Sequence, residues 1–333
     1  LQQMLSAGSM GGGISSAVSR ALGANDLGKA NALVLHAALI CLGMGLFFTF
    51  VFIVWGEPIF RLLGGQGEAL VQSLADANVA FWGAASVWLT NGFASVIRGS
   101  GNMKTPSLVL LIACVAQVTL SGVLGLGWGP IPSFGMAGIA MGYVIAFSAS
   151  TLYLFAYLRS SRSMLRLSFK SPLSKPLFMD ILKVGAMSSL STLQTVATIL
   201  ILTRLISSFG PEALAGYGIG TRLEFLLVPM TFAFGVACVP MVGMALGAQL
   251  FERAKKVAWA GSLMSAALIG GIGLLVTVWP GVWSEMFTSN TTVLFHAHQY
   301  FLWVGPCYGF FAIGLCLYFA SQGAGKLLGP VLA

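Results

Sequence analysis

Apolar residues fill long unbroken runs along this chain, and polar residues collect in short stretches between them. The runs fall near 1–18, 31–55, 77–97, 105–128, 134–158, 180–207, 212–245, 257–280 and 293–320, with a stub from 327 onward. A bilayer accepts an apolar helix of about 20 residues, whereas a membrane β-barrel shows alternating segments of about ten. Each run is therefore predicted as a helix. Lipid offers no partner to backbone N–H and C=O groups, so the expected fold is all-α, a polytopic membrane helical bundle.

Composition agrees, with 57% hydrophobic and 8% charged residues, against about 25% charged in an ordinary soluble domain. Cys41, Cys114, Cys238, Cys307 and Cys316 all fall in apolar runs without C-x-x-C spacing, which reads as small core residues rather than disulfides or metal ligands. Charge then orients the bundle. Arg20, Lys29, Arg98, Lys104, Arg159, Arg162, Arg166, Lys170, Lys175, Lys183, Arg253, Lys255, Lys256 and Lys326 lie in one set of loops, 14 of the 17 basic residues. The other set holds Arg61 with Glu57, Glu68, Asp76, Glu212 and Glu285. Basic loops face the cytoplasm. The net charge of +8 thus reads as a topology signal and an attraction to anionic lipid heads, not as a nucleic-acid footprint.

An internal repeat runs at one constant shift of 224 residues. "RALGANDLGKA" from Arg20 aligns with "MALGAQLFERA" from Met244, and "RGSGNMKTP" with "QGAGKLLGP". Gly11 meets Gly235, Trp55 meets Trp279, and Gly99, Gly101 and Pro106 meet Gly323, Gly325 and Pro330. The repeat crosses the membrane an even number of times, so the copies point the same way and a pseudo-two-fold axis along the membrane normal is expected. This predicts two six-helix lobes. Applying the shift to unmatched helices points beyond Leu1 and beyond Ala333, so the chain is expected to be a fragment truncated at both ends. The predicted organisation is a first lobe at 1–158, a cytoplasmic linker at 159–178 ("RSSRSMLRLSFKSPLSKPLF") and a second lobe at 179–333.

Four stretches carry a resemblance: "SRALGANDLGKA", "IRGSGNMKTP", "GYGIGTRLEFLLVPMTFAFGVACVPMVGMALGAQLFERA" and "ASQGAGK". Together they resemble the multidrug and toxic compound extrusion (MATE) transporters over essentially the whole chain. The resemblance implies a twelve-helix exporter of two lobes, driven by proton or sodium entry and alternating between inward-open and outward-open forms. In part of that family a coupling carboxylate lies in the first helix, which this chain is expected to lack.

Glu224 is the carboxylate placed deep in a predicted span, about twelve residues and roughly 18 Å along its helix. The other eight acids lie in loops or near helix ends. A charge at mid-membrane costs at least ~2.5 kcal/mol unless paired or hydrated, which makes such a residue a functional candidate. The competing reading is structural, an arginine partner or a cap in a helix that contains Pro229 and Pro240. Arg222 sits about 200° around the helix from Glu224, so each needs its own neighbour; for Arg222 a structural ion pair and a coupling or substrate role both stand. If 180–207 and 212–245 form an antiparallel hairpin turning near Gly210, Gln194 and Thr195 come level with Glu224 and share its proton or ion. Arg204 reads as an interfacial, snorkelling residue. Phe225, Met230, Phe232 and Phe234 are candidate cavity residues, with ordinary packing the competing reading.

Other motifs are weaker. "GSGNMKT" has Met103 where a Walker loop needs glycine, and it follows an apolar helix rather than a strand. "HAHQ", with His296 and His298, reads as an interfacial pair rather than a metal site. No nucleophile and base are paired, so an enzyme is not expected. The expected function is a secondary active transporter exporting drug-like or cationic organic compounds by antiport with H+ or Na+. The remaining expectations are no cofactor beyond that coupling cation, a small organic substrate, a lipid bilayer, no nucleic acid, a monomeric state and a bacterial inner membrane with basic loops cytoplasmic. Two alternatives are a lipid-linked oligosaccharide flippase, which needs more cations in its cavity than Arg204 and Arg222 supply, and an uncoupled channel or structural membrane protein.

Overall fold

A computed structural model describes residues 2–62, 65–128, 132–169, 171–327 and 329. Leu1, Lys170, Pro330 and nearly all of the stub predicted beyond 327 lie outside the described residues. The order begins with a π-helical turn at Met4–Met10 that continues into α1 (Gly11–Gly23), α2 (Leu27–Leu62), α3 (Gly67–Trp82), α4 (Ala84–Gly99), α5 (Lys104–Leu126) and α6 (Gly135–Arg159). After a non-helical connector come α7 (Lys175–Ser207), α8 (Pro211–Gly247), α9 (Phe251–Val278), α10 (Gly281–Ser284) and α11 (Thr291–Val304). A single 3-10 turn at Gly305–Cys307 then leads to α12 (Tyr308–Ala324). Among the described residues there is no strand, and seven segments are long and apolar enough to cross a membrane.

Local chemistry accounts for the helix ends. α8 starts with Pro211 at its first position, after Gly210 at φ 106°, where proline's fixed φ and missing N–H do no harm. Asn290 caps α11 by accepting from Thr292 N at 3.0 Å and Val293 N at 3.3 Å, which satisfies donors that a helix start leaves open. α8 runs unbroken through Pro229 and Pro240.

The structure differs from the hydropathy reading at 77–97, which is two helices with a break at Gly83. α3 starts ten residues earlier than predicted, and Glu68 and Asp76, expected in an outward loop, lie in it. Polar Gln66, Glu68, Gln72 and Asp76 dilute the apolar signal of its first turns. A Cβ at position 83 would fall 2.6 Å from Val144 Cγ1, so only glycine lets the two elements approach. Side chains also fasten the carbonyls around the break: Thr49 Oγ1 donates to Phe81 O at 2.6 Å, Ser86 Oγ to Gly83 O at 2.7 Å and Thr151 Oγ1 to Ser86 O at 2.7 Å. The run predicted at 293–320 is likewise interrupted, by the 3-10 turn at Gly305–Cys307, where Gly305 N donates to Phe301 O.

The chain divides into two compact units, Leu1–Gly185 and Ala186–Ala333. The first packs Ile14, Leu33, Trp88, Ile97, Leu154 and Ile181 into one apolar core. α7 begins in this unit. Asp180 in its second turn accepts from Arg20 Nη2 at 2.6 Å and lies 3.2 Å from Lys29 Nζ, while a Cβ on Gly13 of α1 would meet Ile181 O at 2.8 Å. The second unit centres on Ile219, Leu223, Leu227, Ile269, Phe301 and Tyr308. Outside these cores, large apolar side chains such as Leu111, Ile112, Val115 and Val118 of α5 stand exposed, as expected of helices whose solvent is lipid.

The shift of 224 recurs in the backbone. Asn25 (φ 57°) corresponds to Gln249 (φ 60°), and Gly101 (φ 87°) to Gly325 (φ 70°). Asn25 N donates to Leu22 O and Gln249 N to Leu246 O, both at 3.0 Å. A Cβ on Gly99 would press on Ser15 O, and one on Gly323 on Val239 O, again partners 224 residues apart. The duplication therefore reaches turn conformations and close helix approaches.

Candidate functional site

In the second unit, Gly216, Gly220 and Glu224 follow one another at spacings of four on α8, which places them on one face. α11 lies against that face. A Cβ at Gly216 would come 2.6 Å from His296 Cβ, and one at Gly220 would enter the ring of Tyr300. The two glycines bring α11 close enough for Tyr300 Oη to reach past them and donate to Glu224 Oε1. Tyr217 packs edge-on against Tyr300, with ring centroids 5.8 Å apart. Tyr308 of α12 stands beside the pair. It is buried, and its hydroxyl has no hydrogen-bond partner of ordinary geometry among the described residues.

Glu224 is thus half-buried and held by a phenol from a neighbouring helix. A carboxylate there accepts the phenolic proton in a charge-assisted bond, and a protonated Glu224 retains a second oxygen for donation. The group can change occupancy without leaving its helix.

Arg222, two residues away, does not join this cluster. It is exposed, and its guanidinium lies 4.9 Å from the centroid of Phe287, a cation–π contact in place of the ion pair considered from sequence. Phe287 in turn packs on Trp283, at 5.3 Å between centroids, and Trp283 Nε1 donates to Ile219 O at 3.1 Å. Arg222 therefore covers an aromatic cap that fastens α10 to α8. Nearby, Ser284 Oγ donates to Pro280 O at 2.9 Å and lies 3.0 Å from His298 Nε2.

Gln194 and Thr195 are exposed on α7, and Thr195 Oγ1 donates to Ser191 O of its own helix at 3.0 Å. Among the described residues, the hydrogen bond made by Glu224 goes to Tyr300 and not to either of them. Arg204 is exposed in the last turn of α7. Of the candidate cavity residues, Phe225 is exposed, Met230 packs against the core and Phe232 lies edge-on to Phe319 at 4.9 Å. Sequence reasoning missed Tyr300 and Tyr308. Its usable signal was the four-residue spacing of Gly216, Gly220 and Glu224 matched by that of His296 and Tyr300.

The MatE family model matches residues 4–123 and 188–333. The curated "Probable multidrug resistance protein YoeA" of Bacillus subtilis is 23% identical over 329 residues, covering 97% of this chain and 71% of that protein. An FAD transporter of Shewanella oneidensis is 24% identical over 261 residues, covering 74% of this chain and 55% of its own length. The solved outward-facing conformation of a multidrug resistance MATE family transporter of the MOP superfamily superposes with a TM-score of 0.91 at 20% identity, over 99% of this chain and 74% of that one. With the family model covering most of its length and seven segments fit to span a bilayer, this integral membrane protein belongs to the MatE family.

Proposed function

We propose that the chain is the body of a drug-efflux transporter, a secondary active exporter that exchanges a proton or sodium ion for drug-like or cationic organic compounds by alternating access. Family membership and the multidrug-resistance names of its relatives support this class. The observation that carries the mechanism is Glu224, half-buried thirteen residues after Pro211 in α8 and bonded to Tyr300. At 1.5 Å per residue it lies about 20 Å along the helix, deep in a hydrocarbon layer about 30 Å thick.

A carboxylate so placed exists in two states with different needs. Empty and ionised, it depends on the Tyr300 hydroxyl and water. Neutralised by a proton, or paired with a sodium ion or a cationic substrate, it no longer carries an uncompensated charge. Occupancy then biases the protein between conformations in proportion to its differential stabilisation of each. Proton or sodium and substrate compete for one anion, which couples their fluxes.

The test is Glu224→Gln in proteoliposomes that carry an imposed proton or sodium gradient. The neutral isostere keeps an acceptor for Tyr300 and removes the exchangeable charge. Gradient-driven efflux is expected to fall at least tenfold, equivalent to about 1.4 kcal/mol or more of lost coupling. Efflux as responsive to the gradient as in the unaltered protein removes Glu224 from the mechanism.

A further inference from the structure

The connector between α6 and α7 is non-helical yet tied down at four points. Arg162 O accepts from Tyr157 Oη at 3.4 Å, Arg166 N donates to Asn31 Oδ1 at 2.8 Å, Leu167 N to Leu158 O at 3.1 Å, and Ser174 N to His36 Nε2 at 3.0 Å. Through the turns and bends of 162–167 burial alternates, with Ser163, Leu165 and Leu167 buried and Arg162, Met164 and Arg166 exposed. The four anchors hold this exposed set, Arg–Met–Arg followed by Phe169 and Leu173, on the outside of the connector.

Two properties make that face unusual for a solvated loop. Met164, Phe169 and Leu173 are 62%, 65% and 62% exposed, although the connector lies between charged helix ends rather than within an apolar run. Residues 159–178 also hold Arg159, Arg162, Arg166, Lys170 and Lys175 with no Asp or Glu. The next acid along the chain, Asp180, is already engaged by Arg20 and Lys29. The cations of the connector thus have no acidic neighbour in their own segment, while apolar side chains stand between them.

We propose that the outer face of the connector is a docking surface for anionic phospholipids. Arg162 and Arg166 pair with headgroup phosphates, and Met164, Phe169 and Leu173 enter the boundary between headgroups and acyl chains. An interfacial segment binds by this combination of buried apolar area and attraction to anionic lipid, and an arginine fork suits a phosphate better than a lysine point charge does. Because the inner face is anchored to α2 through Asn31 and His36, lipid bound outside steadies the start of α7. The repeat supplies a contrast: at a shift of 224, Asn31 and His36 become Lys255 and Ala260, so the two side chains that hold the connector are not kept in the second copy.

Native mass spectrometry of the protein released from vesicles of phosphatidylcholine with phosphatidylglycerol tests the proposal. The unaltered protein is expected to retain phosphatidylglycerol in preference to phosphatidylcholine. Arg162→Gln with Arg166→Gln should lower that retention several-fold, whereas Arg253→Gln with Lys256→Gln, an equal charge loss at exposed positions after α8, should leave it near the original level. Equal losses in the two double variants would reduce the effect to general surface charge and overturn the proposal, as would equal retention of the two lipids by the unaltered protein. A second readout is independent of affinity. Spin labels at Met164→Cys and Phe169→Cys, in a background with the other cysteines replaced, should be relaxed more by oxygen than by an aqueous nickel chelate; the reverse preference would place the face in water and overturn the proposal.

Discussion

The turn after α1 and the turn after α8 have the same backbone and different charges. Each puts its second residue in the left-handed region, Asn25 at φ 57° and Gln249 at φ 60°, and each closes with the same hydrogen bonds 224 positions apart. Yet Arg20 corresponds to Met244, Asp26 to Leu250 and Asn31 to Lys255. Arg20 and Lys29 clamp Asp180, and Asn31 holds the connector. In the second copy Glu224 and Tyr300 stand on faces that pack together through glycines; at the same shift Glu224 has no counterpart within residues 1–333, and Tyr300 corresponds to Asp76. Duplication has kept the geometry that lets helices meet and turn. The copies differ in the polar groups mounted on that geometry, and the specialised roles are assigned to those groups.

The largest effects are expected at the close approaches between helices, at Gly220 and at the paired Gly99 and Gly323. Gly220→Val would drive two methyls into the ring of Tyr300, and overpacking of this kind costs about 1–3 kcal/mol or more. A fall in thermal midpoint together with loss of efflux is expected. Gly323→Val and Gly99→Val, whose added atoms would press on the carbonyls of Val239 and Ser15, should destabilise by similar amounts if the copies are equivalent in packing, as a melting assay in detergent would show.

A smaller effect is expected where the copies differ. Asp180→Asn removes the anion shared by Arg20 and Lys29, partly buried at 26% side-chain exposure; the expected cost is about 1 kcal/mol, between an exposed pair and a buried one. The smallest effect concerns the left-handed residues. Gln249→Gly relieves a strained φ and is expected to change stability by no more than about 0.5 kcal/mol, while Asn25→Ala should cost about 1 kcal/mol, since asparagine tolerates this region and alanine does not. Equal effects at the two positions would show that Asn25 contributes nothing beyond its backbone conformation.

Much of the architecture was legible in the sequence because lipid imposes a strong rule: long apolar runs must be helices. The repeat was legible because glycines at close approaches and residues at left-handed turns tolerate little change. The helix α3 was obscured by its own polar residues, Glu68, Gln72 and Asp76, which lower hydropathy without breaking a helix. Glu224 stood out as a deep acid, but its partner did not. Tyr300 lies 76 positions away on another helix, and a tyrosine in an apolar run gives no sign of which neighbour its hydroxyl meets. The hairpin geometry that drew attention to Gln194 and Thr195 considered adjacent helices in sequence, whereas the small residues at Gly216 and Gly220 favour α11.

The central claim is that Glu224 and Tyr300 act as one unit in ion-coupled transport. A double-mutant cycle in proteoliposomes tests it most directly, reading how gradient-driven efflux depends on proton or sodium concentration in the unaltered protein, Tyr300→Phe, Glu224→Gln and the double variant. The account predicts that Tyr300→Phe shifts the ion dependence several-fold when Glu224 is present and has no further effect once Glu224 is glutamine. An equal shift by Tyr300→Phe in both backgrounds would contradict it.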